Sequence, residues 1–223
     1  MKHIIILILF STFCSAQEKY TFDYLIEYER TFLKEDSLKK KAFYLTNSKD
    51  NSYFAELTLK DSLDYNMFFK HHDKLHSFAL VSKFQINEAE AININCTQIT
   101  FKKNEYKSVI DDYEFSVPKD TVINNKNYQI YNLKSKLNLK KRKRNGSGTN
   151  VYIIDNSSIS HLPFFTHPTA YEKWKLQKHL PNGLLIEKKH IDVFEKDHST
   201  EVLISYKKIK KNITIIGDCI SYK

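Results

Sequence analysis

Tyr20-Thr21-Phe22-Asp23-Tyr24-Leu25-Ile26-Glu27-Tyr28 carries apolar side chains at 20, 22, 24, 26 and 28. Successive side chains of an extended chain point to opposite faces, so this period of two predicts a strand with one buried face. The same alternation returns at Tyr53, Ala55, Leu57 and Leu59, at Tyr65, Met67 and Phe69, at Tyr113, Phe115 and Val117, and at Val202, Ile204 and Tyr206. Shorter apolar segments at 42–45, 78–81, 92–96, 128–133, 151–154, 184–187 and 213–216 also read as strands. Segment 33–42 is lysine-rich and reads as a loop or a frayed turn.

The separators carry turn chemistry: Thr46-Asn47-Ser48-Lys49-Asp50-Asn51, His71-His72-Asp73-Lys74, Asn124-Asn125-Lys126-Asn127 and Asn145-Gly146. With only 4 glycines and 4 prolines in the chain, Asn, Asp and Ser must make most of its turns. Strands at short, regular intervals with polar turns predict a mainly β fold, an antiparallel meander forming a curved sheet or half-barrel. One short helix is expected at about 170–179. Thr169 and Glu172 have capping-box spacing, Pro168 precedes them, and Pro181 with Gly183 ends the run.

The chain opens Met1-Lys2-His3, runs apolar from Ile4 to Phe13, and leaves through Cys14-Ser15-Ala16. A basic start, a short apolar run and a small-residue exit are the parts of a secretory signal peptide. Cleavage is expected between Ala16 and Gln17, giving a signal peptide at 1–16 and a single β-rich domain at 17–223. Phe13, directly before Cys14, disfavours lipidation of that cysteine. The expected address is periplasmic or extracellular, with no transmembrane span in the mature chain.

Two cysteines follow the signal, Cys96 and Cys219. In an oxidising compartment they form a disulfide candidate; two buried thiols are the alternative. The formal net charge of +9 admits anionic partners, and export makes nucleic acid an improbable one. The sharpest basic feature is Lys140-Lys141-Arg142-Lys143-Arg144, read as a long exposed hairpin. It is either a solvated loop or a contact for an anionic envelope component.

The residues carry no HExxH, CxxC, GxSxG or glycine-rich phosphate loop, so no metal, cofactor or catalytic residue is assigned. His72 and His76, and His161 and His167, read as surface histidines. The aromatic strand faces need a cover: a helix, the curl of the sheet, or an apolar ligand. Tyr171 and Trp174 on the helix are the candidate lid. Asp36-Ser37-Leu38, Asp61-Ser62-Leu63 and Asp120-Thr121-Val122 each resemble the Asp-Ser/Thr-aliphatic sequon of periplasmic O-glycosylation.

Leu180-Pro181-Asn182-Gly183-Leu184-Leu185-Ile186-Glu187 resembles the signature of the GLPGLI family, exported bacterial proteins of unknown function. Leu180, Pro181, Gly183 and Leu184 match, Asn182 is inserted, and His179 stands where the signature begins with glycine. The layout is also similar to the half-barrel of bacterial lipoprotein carriers, whose curved sheet holds acyl chains against helices. That likeness implies an apolar ligand and carries over no catalytic residue. The function expected is a non-enzymatic exported envelope protein binding an apolar or amphipathic ligand, such as a lipid, in a curved sheet. An envelope interaction or structural protein acting through residues 140–144 is the alternative, and a hydrolase of unknown specificity the second.

Overall fold

A computed structural model describes residues 18–33, 38–157, 160–217 and 219. The expected signal peptide, with its expected cut between Ala16 and Gln17, and Asp36-Ser37 of the first sequon lie outside the described residues.

The decisive stretch lies in β1 (Lys19–Phe32), the first of thirteen strands among the described residues. A meander follows through β2 (Leu38–Asn47), β3 (Asp50–Leu59), β4 (Asp64–His71) and β5 (Leu75–Ser82). The lysine-rich segment expected as a loop enters β2 at Leu38, where Lys39 and Lys41 reach Glu29 and Glu27 of β1. The turns use the polar residues the sequence offers. Asp23 accepts from the Ser48 amide at 2.8 Å, and Asp61 Oδ1 accepts from the Leu63 and Asp64 amides at 2.8 and 2.9 Å.

A short helix, α1 (Lys83–Asn87), leads to β6 (Ala91–Asn95), a 3-10 turn at Cys96–Gln98 and β7 (Ile99–Phe101). After a longer 3-10 segment, Glu105–Asp112, come β8 (Tyr113–Phe115), β9 (Lys119–Ile123) and β10 (Lys126–Ser135). Asn124 and Asn125 join β9 to β10 with φ of 51° and 62°, the paired positive values of a tight hairpin turn.

The basic run is not a hairpin. Residues Leu139–Asn145 form α2. Asn138 caps it by accepting from the Lys141 amide at 3.0 Å, and Gly146 ends it with φ of 63°. Lysine and arginine are good helix formers, and cations in the last turn suit the helix dipole.

β11 (Thr149–Asp155) precedes α3 (Pro168–Gln177), then β12 (Leu184–Ile191) and β13 (Asp197–Ile216). α3 starts two residues earlier than the sequence predicts. His167, rather than Thr169, is its cap, with Nδ1 accepting from the Thr169 amide at 3.2 Å.

The main path of the sheet runs β7-β5-β4-β3-β2-β1-β13-β12-β11-β10-β8 and does not close into a barrel. All pairings are antiparallel except β6 with β13. The segments 202–206 and 213–216 belong to one long strand, β13. Its first part lies between β12 and β1; its last part lies between β1 and β6. Val202, Ile204 and Tyr206 were expected on the buried face but are exposed, while Glu201 is buried.

The sheet carries two separate buried clusters. Tyr20, Phe22, Leu45, Leu57, Met67, Phe69, Ile92 and Ile213 form one core, built from β1–β6 and the end of β13. Tyr24, Ile26, Tyr28, Tyr44, Tyr131 and Tyr152 form the other; in β2 the neighbours Tyr44 and Leu45 point to opposite faces, one into each core. The segment from His161 to Leu180, including α3, covers this second core with Phe164, Phe165, Tyr171 and Trp174. Burying each such aromatic contributes roughly 1.5–3 kcal/mol. Cys96 and Cys219 form a disulfide pair with Cα atoms 5.2 Å apart, linking the end of β6 to the chain beyond β13.

Candidate functional site

The two candidate lid residues belong to the cover. Tyr171 stacks on His72, ring centroids 4.5 Å apart and planes 12° apart, and Trp174 lies against Phe165 at 6.3 Å. What they cover is largely the chain's own aromatic side chains. The cover stops short of β4 and β5, and there the same face is open.

Register places three cross-strand pairs in a row on that face: Lys70 with His76, Phe68 with Phe78, and Asn66 with Leu80. Side chains two apart on a strand share a face, so the row grades from cationic through aromatic to aliphatic. The Phe68 and Phe78 rings are 4.7 Å apart, and Phe78 is 68% exposed. Two clefts meet at this pair. One, of about 600 Å³, is lined by Thr58, Met67, Phe68, Phe78, Ala79 and Leu80 among others. The other, of about 260 Å³, is lined by Lys70, His72, His76, Lys102, Lys103 and Tyr106 together with the same two phenylalanines. Sites of several hundred Å³ accommodate small ligands.

The electrostatics of the polar end are one-sided. Burial, with Lys102 nearby, holds the Lys70 ammonium below its ordinary pKa. Lys102 pairs with Glu105 at 3.0 Å. Neither Lys70 nor Lys103 enters an ion pair among the described residues. His72 donates from Nε2 to the Phe165 carbonyl at 3.1 Å, and its Nδ1 has no partner among the described residues. Burial, then Lys70, push His72 down to about 3, so it stays neutral. Burial and the same lysines lower His76 as well.

The histidines therefore do not all sit at the surface. His71, His72 and His161 are buried, and the β4–β5 turn brings His72 and His76 to one cleft. His161 Nε2 lies 2.9 Å from Thr46 Oγ1, which pins the covering segment to β2. Among the described residues no three His, Cys, Asp or Glu gather in a metal-binding group.

Beside the groove lies a part-buried charge network. Arg30 contacts Glu56 at 2.9 Å, Glu201 at 2.7 Å and the Tyr44 hydroxyl. Burial would raise the Glu201 pKa, but Lys188 and Arg30 outweigh it and hold the carboxyl below its usual range. A third cleft, of about 500 Å³, is lined by Tyr113, Ser147, Asn150, Lys188, His190 and His198 among others. Of α2, only Asn145 lines it; the cations Lys140, Lys141, Lys143 and Arg144 are exposed and Arg142 is half-buried.

The signature-like stretch has a structural use. A Cβ at Gly183 would lie 2.5 Å from the Asp155 carbonyl oxygen, so only glycine fits against the end of β11. Leu180, Leu184 and Leu185 are buried, and the Leu185 carbonyl accepts from the Tyr28 hydroxyl at 2.9 Å.

The sequence reading missed the open groove because it followed Tyr65, Met67 and Phe69, the face turned to the core. Phe68 broke that alternation, and this was the available signal. Its partner Phe78 lies ten residues away, and only the register brings the two together. No protein-family model matches the chain, and no curated protein matches it.

Proposed function

We propose that the chain is an exported, non-enzymatic envelope protein that holds an amphipathic ligand in the β4–β5 groove. One observation carries this reading: Phe78 is 68% exposed and packs on Phe68 at the junction of two open clefts. An exposed aromatic set in a groove, with Leu80 also exposed beside it, is the kind of apolar surface that ligands cover. Export rests on the first sixteen residues and is supported by the pairing of Cys96 with Cys219. Membership of the GLPGLI family belongs to the same proposal and rests on Leu180, Pro181, Gly183 and Leu184.

The test uses the neutral fluorophore N-phenyl-1-naphthylamine with wild type and Phe78→Asp. Phe78 is largely exposed, so the variant should keep its circular dichroism spectrum and its melting temperature. Probe affinity should fall by about tenfold or more, in line with about 1.5 kcal/mol or more for burying an aromatic side chain. Equal probe binding by both proteins would overturn the reading.

The exposed cations of α2 support a second reading, contact with an anionic envelope surface. Replacing Lys140, Lys141, Lys143 and Arg144 with glutamine should abolish binding to anionic vesicles if it holds; unchanged binding would remove it. The hydrolase alternative would draw on the carboxylates of Asp73 and Glu172. Both are engaged structurally, by Lys175 and by Asn104, and the binding reading reaches further.

A further inference from the structure

We infer that the ligand of the β4–β5 groove is a single-chain fatty acid, bound with its carboxylate at Lys70 and its chain running over Phe68 and Phe78 toward Leu80. The inference rests on the groove reading proposed above and adds the chemical class and the orientation.

The polar end of the groove has cations to spare. Glu105 is the acid among its lining residues, and it is taken by Lys102 at 3.0 Å. At the apolar end Glu56 is taken by Arg30 at 2.9 Å. Lys70 is half-buried, and its cross-strand neighbours are Phe54 and His76, neither of them acidic. A desolvated ammonium with no counter-ion is costly, and an arriving oxyanion would supply one through a charge-assisted hydrogen bond. His72 adds no positive charge near neutrality, since its Nε2 donates to the Phe165 carbonyl and it remains neutral down to about 3.

One half-buried cation without an ion-pair partner among the described residues balances one negative charge. Lys103 is exposed at the rim, where water screens it. This favours a monoanionic carboxylate over a dianionic phosphate monoester. A cationic head would meet Lys70, Lys102 and Lys103, and a neutral head would leave Lys70 unmatched. The rungs Lys70/His76, Phe68/Phe78 and Asn66/Leu80 fix the direction of the chain, and from Lys70 to Asn66 they span roughly 13 Å at strand rise.

The experiment measures binding of dodecanoate by calorimetry, with displacement of N-phenyl-1-naphthylamine as a second readout. Dodecyl maltoside, dodecyltrimethylammonium and dodecyl phosphate are the comparison heads, all below their micelle concentrations. Dodecanoate should bind at least about tenfold more tightly than the maltoside, and the ammonium most weakly, as a charge-assisted hydrogen bond of about 1.5–3 kcal/mol requires. Lys70→Gln should bring the ratio of dodecanoate to maltoside affinity close to one, and Lys70→Glu should invert it. The inference fails if the ratio starts near one, if Lys70→Gln preserves it, or if dodecyl phosphate binds and dodecanoate does not. In each of these cases a Phe78-dependent probe signal leaves the groove reading standing. If neither probe nor dodecanoate binds, both fall together.

Discussion

The Lys175 ammonium donates to the Asp73 carboxylate across 2.7 Å and so ties α3 to the turn between β4 and β5. The Tyr171 hydroxyl reaches the same oxygen at 3.4 Å, and Lys107 the other at 3.4 Å. Glu172, one turn into the helix, is buried beside them and accepts from Asn104 Nδ2 at 3.1 Å. The latch holds the cover in place at the border of the open groove.

The two carboxyls of this latch should respond oppositely to neutralisation. Burial alone would raise Asp73, but its hydrogen bonds with Glu172 and Lys175 hold it well below the usual range. The folded state therefore prefers its charge, and Asp73→Asn should destabilise at pH 7 by about 1 kcal/mol, the partly exposed setting limiting the loss. Burial and the neighbouring Asp73 raise Glu172, so its charge costs stability once the pH passes the usual glutamate range. Glu172→Gln keeps an acceptor for Asn104 and should be neutral or stabilising. Urea denaturation of both variants measures the difference; a larger loss for Glu172→Gln would refute the assignment.

Most strands were legible because alternation is a direct consequence of extended backbone, and β1 shows how far that goes: its even positions are the buried ones. At β13 the same signal gave the element but the wrong face. Val202, Ile204 and Tyr206 alternate correctly, yet the pairing of Arg30 with Glu201 and Tyr28 with Leu203 turns the odd positions inward. Period two identifies a strand; register decides which parity is buried. α2 was illegible for another reason. Five cations in succession have no apolar stripe, so only Asn138 and Gly146 mark its ends. The groove depends on Phe68 and Phe78 meeting across two strands, and no local pattern states that.

Gly183 should not tolerate even one added carbon. An alanine Cβ would meet the Asp155 carbonyl oxygen at 2.5 Å and the Asn156 Cα at 2.8 Å, both backbone atoms that can yield only if the end of β11 shifts. Gly183→Ala should cost about 1–3 kcal/mol. Gly146→Ala is the contrast: a Cβ there meets nothing within 4 Å, and only its φ of 63° is strained. Thermal melts should show the larger drop at Gly183; the reverse order would contradict the packing.

Reduction should weaken the fold through the Cys96–Cys219 pair. The two residues are 123 apart in sequence, so the bond closes a long loop in the unfolded chain. In the chain-entropy model that is worth roughly 4–5 kcal/mol, and removal of native disulfides typically costs about 2–5 kcal/mol. A melt in excess reductant should shift down by several degrees, and Cys96→Ala with Cys219→Ala should melt like the reduced protein. The same melting temperature with and without reductant would show that the bond contributes nothing.

Acid should loosen the cover before it titrates most carboxylates. Burial, then Lys70, lower His72 to about 3; burial, then Lys188, lower His167 to about 4. Both folded values lie below the unfolded value of about 6.5, so the unfolded chain binds more protons between them. The stability these neutral rings contribute is complete above about pH 6.5 and is lost as the pH falls toward the folded values. The slope approaches about 1.4 kcal/mol per pH unit for the buried His72, and it is shallower for His167, which is exposed and screened by solvent. His72 Nε2 is bonded to the Phe165 carbonyl and His167 caps α3, so the loss bears directly on the covering segment. His167→Asn keeps a capping acceptor and removes the titration, and His72→Gln keeps a side-chain donor. Between pH 6.5 and 5 each variant should lose stability less steeply than wild type, as read by urea denaturation at fixed pH steps. Parallel curves for wild type and both variants would place the acid sensitivity elsewhere.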